Sequence, residues 1–239
     1  MPADAGLVAA ARAGLRERAD PGQAAGMQAY MKSSMPYRGA RAADMRAVGR
    51  SVLAEHPLGD WETWRDTILA LWREAAFREE RYVALELAMR TRYRSYQLGL
   101  DSLPLYEELI VTGAWWDLVD GVASHLLGGL LRAHPDAMRA VILAWSRSDD
   151  MWKRRSAIIS QLGSKAGTDL ELLYACIAPN LADREFFIRK AIGWALRQLA
   201  WTNPEAVRRY VQAHEGQLSG LSKREALKNV DAVSHPLSC

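Results

Sequence analysis

Four stretches of this chain repeat one local arrangement. RYVALELA (81–88), LVDGVASH (118–125), RRSAIISQ (154–161) and IRKAIGWA (188–195) each set a small residue before an aliphatic one. The small residues are Ala84, Gly121, Ala157 and Ala191, spaced by 37, 36 and 34 positions. A period of that size, with two helices per unit, is near those of HEAT-type and related helical arrays. One such unit cannot bury its apolar face alone. Neighbouring units therefore stack into a curved α-solenoid, whose concave side is the natural binding surface.

The rest of the chain agrees with this pattern. Apolar residues recur at helical spacing throughout, with no run of strand alternation. The spacing predicts helices near 4–18, 22–33, 41–55, 60–73, 77–92, 102–111, 114–127, 136–146, 150–163, 169–181, 185–200, 204–213 and 221–230. The breaks between them carry turn chemistry (HPLGD, HPD, RSDD, TNPE), and Asp60, Asp149, Asp183 and Asn203 are placed at or beside helix starts. No low-complexity linker interrupts the pattern, so the expectation is one all-α domain over 1–239.

Composition narrows the function classes. With 49% hydrophobic residues and a net charge of +3, the chain can bury a real core and is not expected to be disordered. No window approaches 18 uninterrupted apolar residues, and the N-terminus lacks a signal-peptide core, so a soluble cytoplasmic protein is expected. Cys176 and Cys239 make no disulfide framework, and the five histidines show no zinc-binding spacing. No P-loop, G-x-G-x-x-G or G-x-S-x-G is present, so neither a metal nor a cofactor is expected. Charge is uneven: residues 1–150 sum to −2 and residues 151–239 to +5, with 25 arginines against six lysines. Arginine suits bidentate phosphate contacts, and the balance permits a nucleic-acid partner.

The candidate chemistry begins in TGAWWDLVDG (112–121). Read as one helix, Trp115, Val119, Val122 and Leu126 form a core stripe. Trp116 and Asp120 stand at i and i+4 on another face, and Asp117 lies in the first turn. Spacing alone leaves two readings for that second face: packing on the next repeat with a solvated aspartate, or a site. The predicted helix at 185–200 divides similarly. Lys190, Trp194, Arg197 and Trp201 line up at i, i+4, i+7 and i+11. That face suits phosphates with a base or sugar against an aromatic ring; equally, long basic stems can cover surface tryptophans. Between these helices, Lys153, Arg154 and Arg155 in MWKRRSA oppose the dipole of the helix they open, a small cost that a phosphate would offset. Arg41, Arg46 and Arg50, then Arg90, Arg92 and Arg94, form further basic clusters. LSKREALK (221–228) suggests a Ser222–Glu225 capping box that presents Lys223 and Arg224 near a helix start.

Taken together, EELIVTGAWWDLVD, MWKRRSA, EFFIRKAIGWALRQLAWTNP and LSKREALK resemble the AlkD-type DNA glycosylases, over most of the chain. The resemblance implies a HEAT-like repeat fold with a concave, basic DNA-binding face. It also implies a monomeric enzyme that excises cationic alkylated purines from double-stranded DNA without flipping the base into a pocket. Position by position, the residues implied to surround the lesion nucleotide are Trp116, Asp120, Arg155 and Trp194. Tyr30 and Arg46 match positions along the DNA path. The chain departs from the family at Gly113 and Ala114, where a basic residue is common, and at Ala42, where a hydroxyl can contact phosphate. Asp120 would stabilise an oxocarbenium-like sugar and orient water, as carboxylates do in glycoside hydrolysis. Trp116 and Trp194 would offer π-faces to the cation, and Arg155 would hold a phosphate. Six lysines give no obvious activated amine, so hydrolysis without strand cleavage is expected. Two other readings accompany this one: a self-resistance glycosylase for bulky natural-product adducts, and a non-catalytic DNA or protein binder, which the four intact site residues disfavour.

Overall fold

The computed structural model describes residues 2–230, and those residues form an all-helical fold with no strand. The α-solenoid expectation agrees with this. None of the helices is long and apolar enough to cross a membrane. The chain divides into two compact units, one up to Leu105 and one from Tyr106. The reading of 1–239 as one domain stands beside that division as a proposal. His235 and Cys239 lie outside the described residues.

The first unit contains α1 (Ala5–Glu17), α2 (Pro21–Met31), α3 (Ala42–Glu55), α4 (Trp61–Arg73), α5 (Arg78–Met89) and the short α6 (Arg94–Gln97), which the apolar spacing did not reveal. Aspartates start three of these helices. Asp4 accepts the Leu7 N–H at 2.8 Å, Asp20 the Gly22 N–H at 3.0 Å and Asp60 the Thr63 N–H at 2.7 Å, each satisfying a donor that the helix leaves open. The core lies where α4 meets α5 and α1 meets α3. Trp64, Ile68 and Leu71 on α4 and Val83, Ala84 and Leu87 on α5 are all essentially buried, and the Trp64 indole N–H donates to the Leu87 carbonyl oxygen at 3.4 Å. Burying a side chain the size of Leu71 contributes about 1.5–3 kcal/mol, and truncating Trp64 to Ala would cost about 3–5 kcal/mol. Two buried carboxylates tie the segment between α2 and α3 to α5. Glu79 accepts the backbone N–H groups of Arg38 and Gly39 at 2.9 Å, and Glu80 pairs with Arg12 at 2.9 Å and Arg38 at 3.4 Å. Each charge is satisfied, as its burial requires.

The second unit begins within α7 (Leu103–Gly113). It continues through α8 (Trp116–Gly121), a π-helical turn (Val122–Leu127), α9 (Gly128–Ala133), α10 (Pro135–Trp145), α11 (Met151–Ile159), α12 (Leu170–Ile177), α13 (Phe186–Ala200), α14 (Pro204–Ala213) and α15 (Gly220–Leu227). Three small repeat positions, Ala84, Ala157 and Ala191, are buried in helix contacts; Gly121 is half-buried. Helix α13 packs extensively against α15. Gly193 makes that approach possible: a Cβ built there would lie 2.5 Å from the Glu225 Cβ and 3.0 Å from the Ser222 carbonyl oxygen.

Several local expectations are corrected. The helix expected from 114 starts at Trp116, because Ala114 adopts a left-handed φ of 42° and Trp115 is extended. Asp149 stands beside a helix start, as expected; the cap of α11 itself is Asp150, which accepts the N–H groups of Trp152 and Lys153 at 2.8 and 2.9 Å. Asp183 is not a cap, since α13 starts after Glu185. The Ser222–Glu225 capping box does not form. Ser219 caps α15 by accepting the Ser222 N–H at 3.0 Å, so Lys223 and Arg224 lie beyond its first turn. Asp60 and Asn203 do cap α4 and α14.

Candidate active site

Asp120 lies one turn after Trp116 on α8, and the short helix presents the two differently. Trp116 is 41% exposed, while the Asp120 side chain is 17% exposed. The preceding tryptophan points elsewhere. Trp115 packs against Trp152 of α11 and Phe187 of α13, with ring centroids 6.3 and 5.3 Å away, and Trp152 and Phe187 approach to 5.0 Å. The division of the two tryptophans between packing and exposure holds, although Trp115 achieves it from the cap position and not from a helical stripe.

On this aromatic cluster sits an ion pair. Arg155 donates from Nε to Asp120 Oδ1 and from Nη2 to Oδ2, both at 2.7 Å, and from Nη1 to the Phe187 carbonyl oxygen at 2.6 Å. Arg155 is only 3% exposed, and its Cζ is 5.8 Å from the Phe187 ring centroid. The guanidinium fork fits a carboxylate in two parallel bonds, and the apolar surroundings strengthen the attraction. Arg155 is buried and faces Asp120, so its fork fixes the orientation of the carboxylate; the phosphate contact expected of it stays a proposal.

Asp120 and Trp194 border one open cleft of about 360 Å³, shared with Gly121, His125, Gly163 and Gln198. Two of these polar groups, His125 and Gln198, were not singled out by spacing. In a regular α-helix, positions five apart point about 140° away from each other. The π-helical turn between Gly121 and Gly128 alters that register, and His125 reaches the cleft that Asp120 borders. Another missed group is Phe186, 52% exposed and edge-on to Phe187 at 5.4 Å. The doubled aromatic in EFF was a signal of the same kind as WW: adjacent residues at a helix start point in different directions.

Most of the expected DNA-binding cations have partners within the chain. Lys153 pairs with Glu107 at 2.6 Å, and Arg154 with Asp183 at 3.1 Å and the Ser148 carbonyl at 2.8 Å. Lys190 and Arg197 both turn to Glu225, at 3.0 and 2.8 Å. The alternating cation–tryptophan face of α13 is therefore split, with its cations against α15 and Trp194 at the cleft. Trp201 is 54% exposed at the end of α13. Lys223 reaches the Glu215 carbonyl at 3.2 Å. Arg46, Arg224 and Tyr30 are exposed, Tyr30 at 81%. Among the described residues, no group of three or more His, Cys, Asp or Glu could hold a metal ion.

Comparison with known proteins supplies a family. A family model described as DNA alkylation repair enzyme matches residues 11–230. A solved structure, described as a predicted DNA alkylation repair enzyme from Enterococcus faecalis, is 32% identical to this chain. The match covers 88% of this chain and 96% of that one, with a TM-score of 0.78. No curated protein matches.

Proposed function

The chain belongs to the DNA alkylation repair enzyme family, and from that premise we propose that it is a monofunctional DNA glycosylase for cationic N3- and N7-alkylated purines in duplex DNA. Its substrates would include 3-methyladenine and 7-methylguanine, and it would act as a monomer from a basic, concave face. The observation that carries this reading is the Asp120 carboxylate, oriented by Arg155 at the edge of the cleft that Trp194 lines.

The residues suit the reaction. An N3- or N7-alkylated purine is positively charged and leaves readily. As its bond to C1′ breaks, the bonding pair moves to the purine and neutralises it, and positive charge appears on the sugar. A carboxylate fixed beside that sugar stabilises the charge without reorganising. Trp116 and Trp194 offer ring faces to the same cation. Water then adds to C1′ and gives up a proton. Base flipping is not needed if the lesion nucleotide is met in an open cleft. Lys153 and Lys190 are already paired with carboxylates, which favours hydrolysis over an amine-linked intermediate and strand cleavage. The exposed Arg46, Arg224, Tyr30 and Phe186 would meet the DNA directly, while Lys153, Arg154, Lys190, Arg197 and Lys223 would add positive field from their paired positions.

A second reading draws on the openness of the cleft. The cleft is open and Gly121 on its wall carries no side chain, which would favour a bulky purine adduct and a self-resistance glycosylase. Chromatographic measurement of base release tests both. Asp120→Asn should nearly abolish release of methylated purines while duplex binding survives; undiminished release would sink the assignment. Faster release of bulky than of methyl adducts would favour the second reading.

A further inference from the structure

Glu86, on α5 in the first unit, is half-buried and has no hydrogen-bond partner among the described residues. Its carboxylate rests on the backbone of α3 at Gly49. A Cβ built on that glycine would lie 2.2 Å from Glu86 Oε2 and 2.6 Å from Oε1, so any other residue at 49 would displace the carboxylate. Arg46 and Arg50, one turn apart on α3, bracket Gly49, and both are exposed. Arg90 ends α5 one turn beyond Glu86. Burial pushes the Glu86 carboxyl up, while Arg90, Arg50 and Arg46 pull it back, so all three guanidinium groups are within electrostatic reach.

None of these arginines closes on the carboxylate with an ion pair among the described residues. Elsewhere in the molecule, carboxylates that hold the fold are gripped: Glu80 by Arg12 at 2.9 Å, Asp120 by Arg155 at 2.7 Å and Glu225 by Arg197 at 2.8 Å. Around Glu86, cations outnumber the carboxylate and keep their donors uncommitted. Guanidinium groups so placed can take a phosphate through paired N–H donors.

We propose that Arg46, Arg50 and Arg90 form a phosphate clamp for the DNA backbone, in which an incoming phosphate takes over the place that Glu86 holds among the three guanidinium groups. The proposal rests on the DNA reading above. Arg46 is the member that family resemblance implied; Arg50, Arg90, Glu86 and Gly49 are assigned from their placement. In the free protein, Glu86 offsets repulsion between the arginines. Once a phosphate arrives, it is a like charge and opposes binding.

Equilibrium binding of undamaged duplex, measured between about 50 and 200 mM salt, tests the clamp. Arg50→Ala and Arg90→Ala should each weaken binding roughly five- to tenfold and flatten the salt slope by about 0.9, the loss of one neutralised phosphate. Glu86→Gln should bind several-fold more tightly than wild type. Wild-type slopes in both arginine variants, or weaker binding by Glu86→Gln, would overturn the clamp. Circular dichroism melts in inorganic phosphate provide a second arm. If phosphate stabilises the wild type but not the arginine variants, while their DNA slopes stay at the wild-type value, the site takes the free anion and the backbone assignment falls. Base release by the wild type separates this proposal from the glycosylase reading. Release together with unaltered variant slopes removes the clamp alone, whereas variant-sensitive slopes without release keep the clamp and remove the glycosylase.

Discussion

The guanidinium of Arg155 meets the Asp120 carboxylate through two bonds of 2.7 Å, and its remaining terminal nitrogen holds the Phe187 carbonyl. Three helices, α8, α11 and α13, thus share one cation. Removing it would leave a largely buried carboxylate unpaired, at a cost of about 3–5 kcal/mol. Arg155→Lys keeps the charge but loses the fork. It should slow single-turnover base release roughly 10- to 100-fold, an effect of about 1.4–2.7 kcal/mol on the barrier. Its duplex affinity and salt slope should stay near wild type. Arg155→Ala removes the charge as well, and a salt slope that it flattens by about one contact would support the proposed phosphate contact of Arg155.

Trp194 is half-buried and shares the cleft with Asp120. Trp194→Ala should reduce base release by about tenfold or more, since a cation–π contact in a partly desolvated site is worth about 1–2 kcal/mol. Trp194→Phe should recover part of that loss. Equal loss in both variants would argue for a packing role, and their melting temperatures would show it.

Glu225 predicts an acid-sensitive contact. The hydrogen bond from Lys228 and the hydrogen bond and charge of Lys190 hold its carboxyl below the usual value, against the opposing effect of burial. A lowered folded-state value contributes stability that is present above the usual carboxylate range and is lost as pH falls through the folded value. Glu225→Gln should therefore melt below wild type at neutral pH, and the gap should narrow from about pH 4.5 downward. A gap that stays constant across the acid range would show that the ion pairs do not contribute.

Burial pushes the Cys176 thiol up to about 12, so almost no thiolate is available near neutral pH. In a Cys239→Ser background, a thiol reagent at about pH 8 should label the native protein only on the timescale of unfolding, and the denatured protein at once. Rapid labelling of the native state would show that the space around Cys176 opens locally.

Much of the fold was legible because helices in a stacked array obey local rules. Apolar spacing located α4, α10 and α13, and aspartates marked helix starts: Asp60 is the cap of α4 and Asp149 the neighbour of the Asp150 cap of α11. The placement of Trp116 and Asp120 one turn apart on one helix was legible from their spacing. What spacing could not reveal was the partner of that aspartate, because Arg155 comes from 35 residues away. Nor could it show that Arg197 and Lys190 bend toward Glu225 and leave Trp194 to the cleft; that choice depends on how closely α15 approaches Gly193. The left-handed residue at Ala114 carries no glycine to announce it, so apolar spacing runs the helix through 114 and places Trp115 in the stripe. His125 escaped notice because regular helical geometry points it away from Asp120.

The π-helical turn at Val122–Leu127 also limits how this chain can vary. Substitutions within it change one side chain at a time. Losing or gaining one residue there is different. Every residue downstream in the same rod would turn by about 100°, carrying Leu130 and Leu131 out of the core. Relatives that keep this site should therefore differ in letters across the segment but agree in its length.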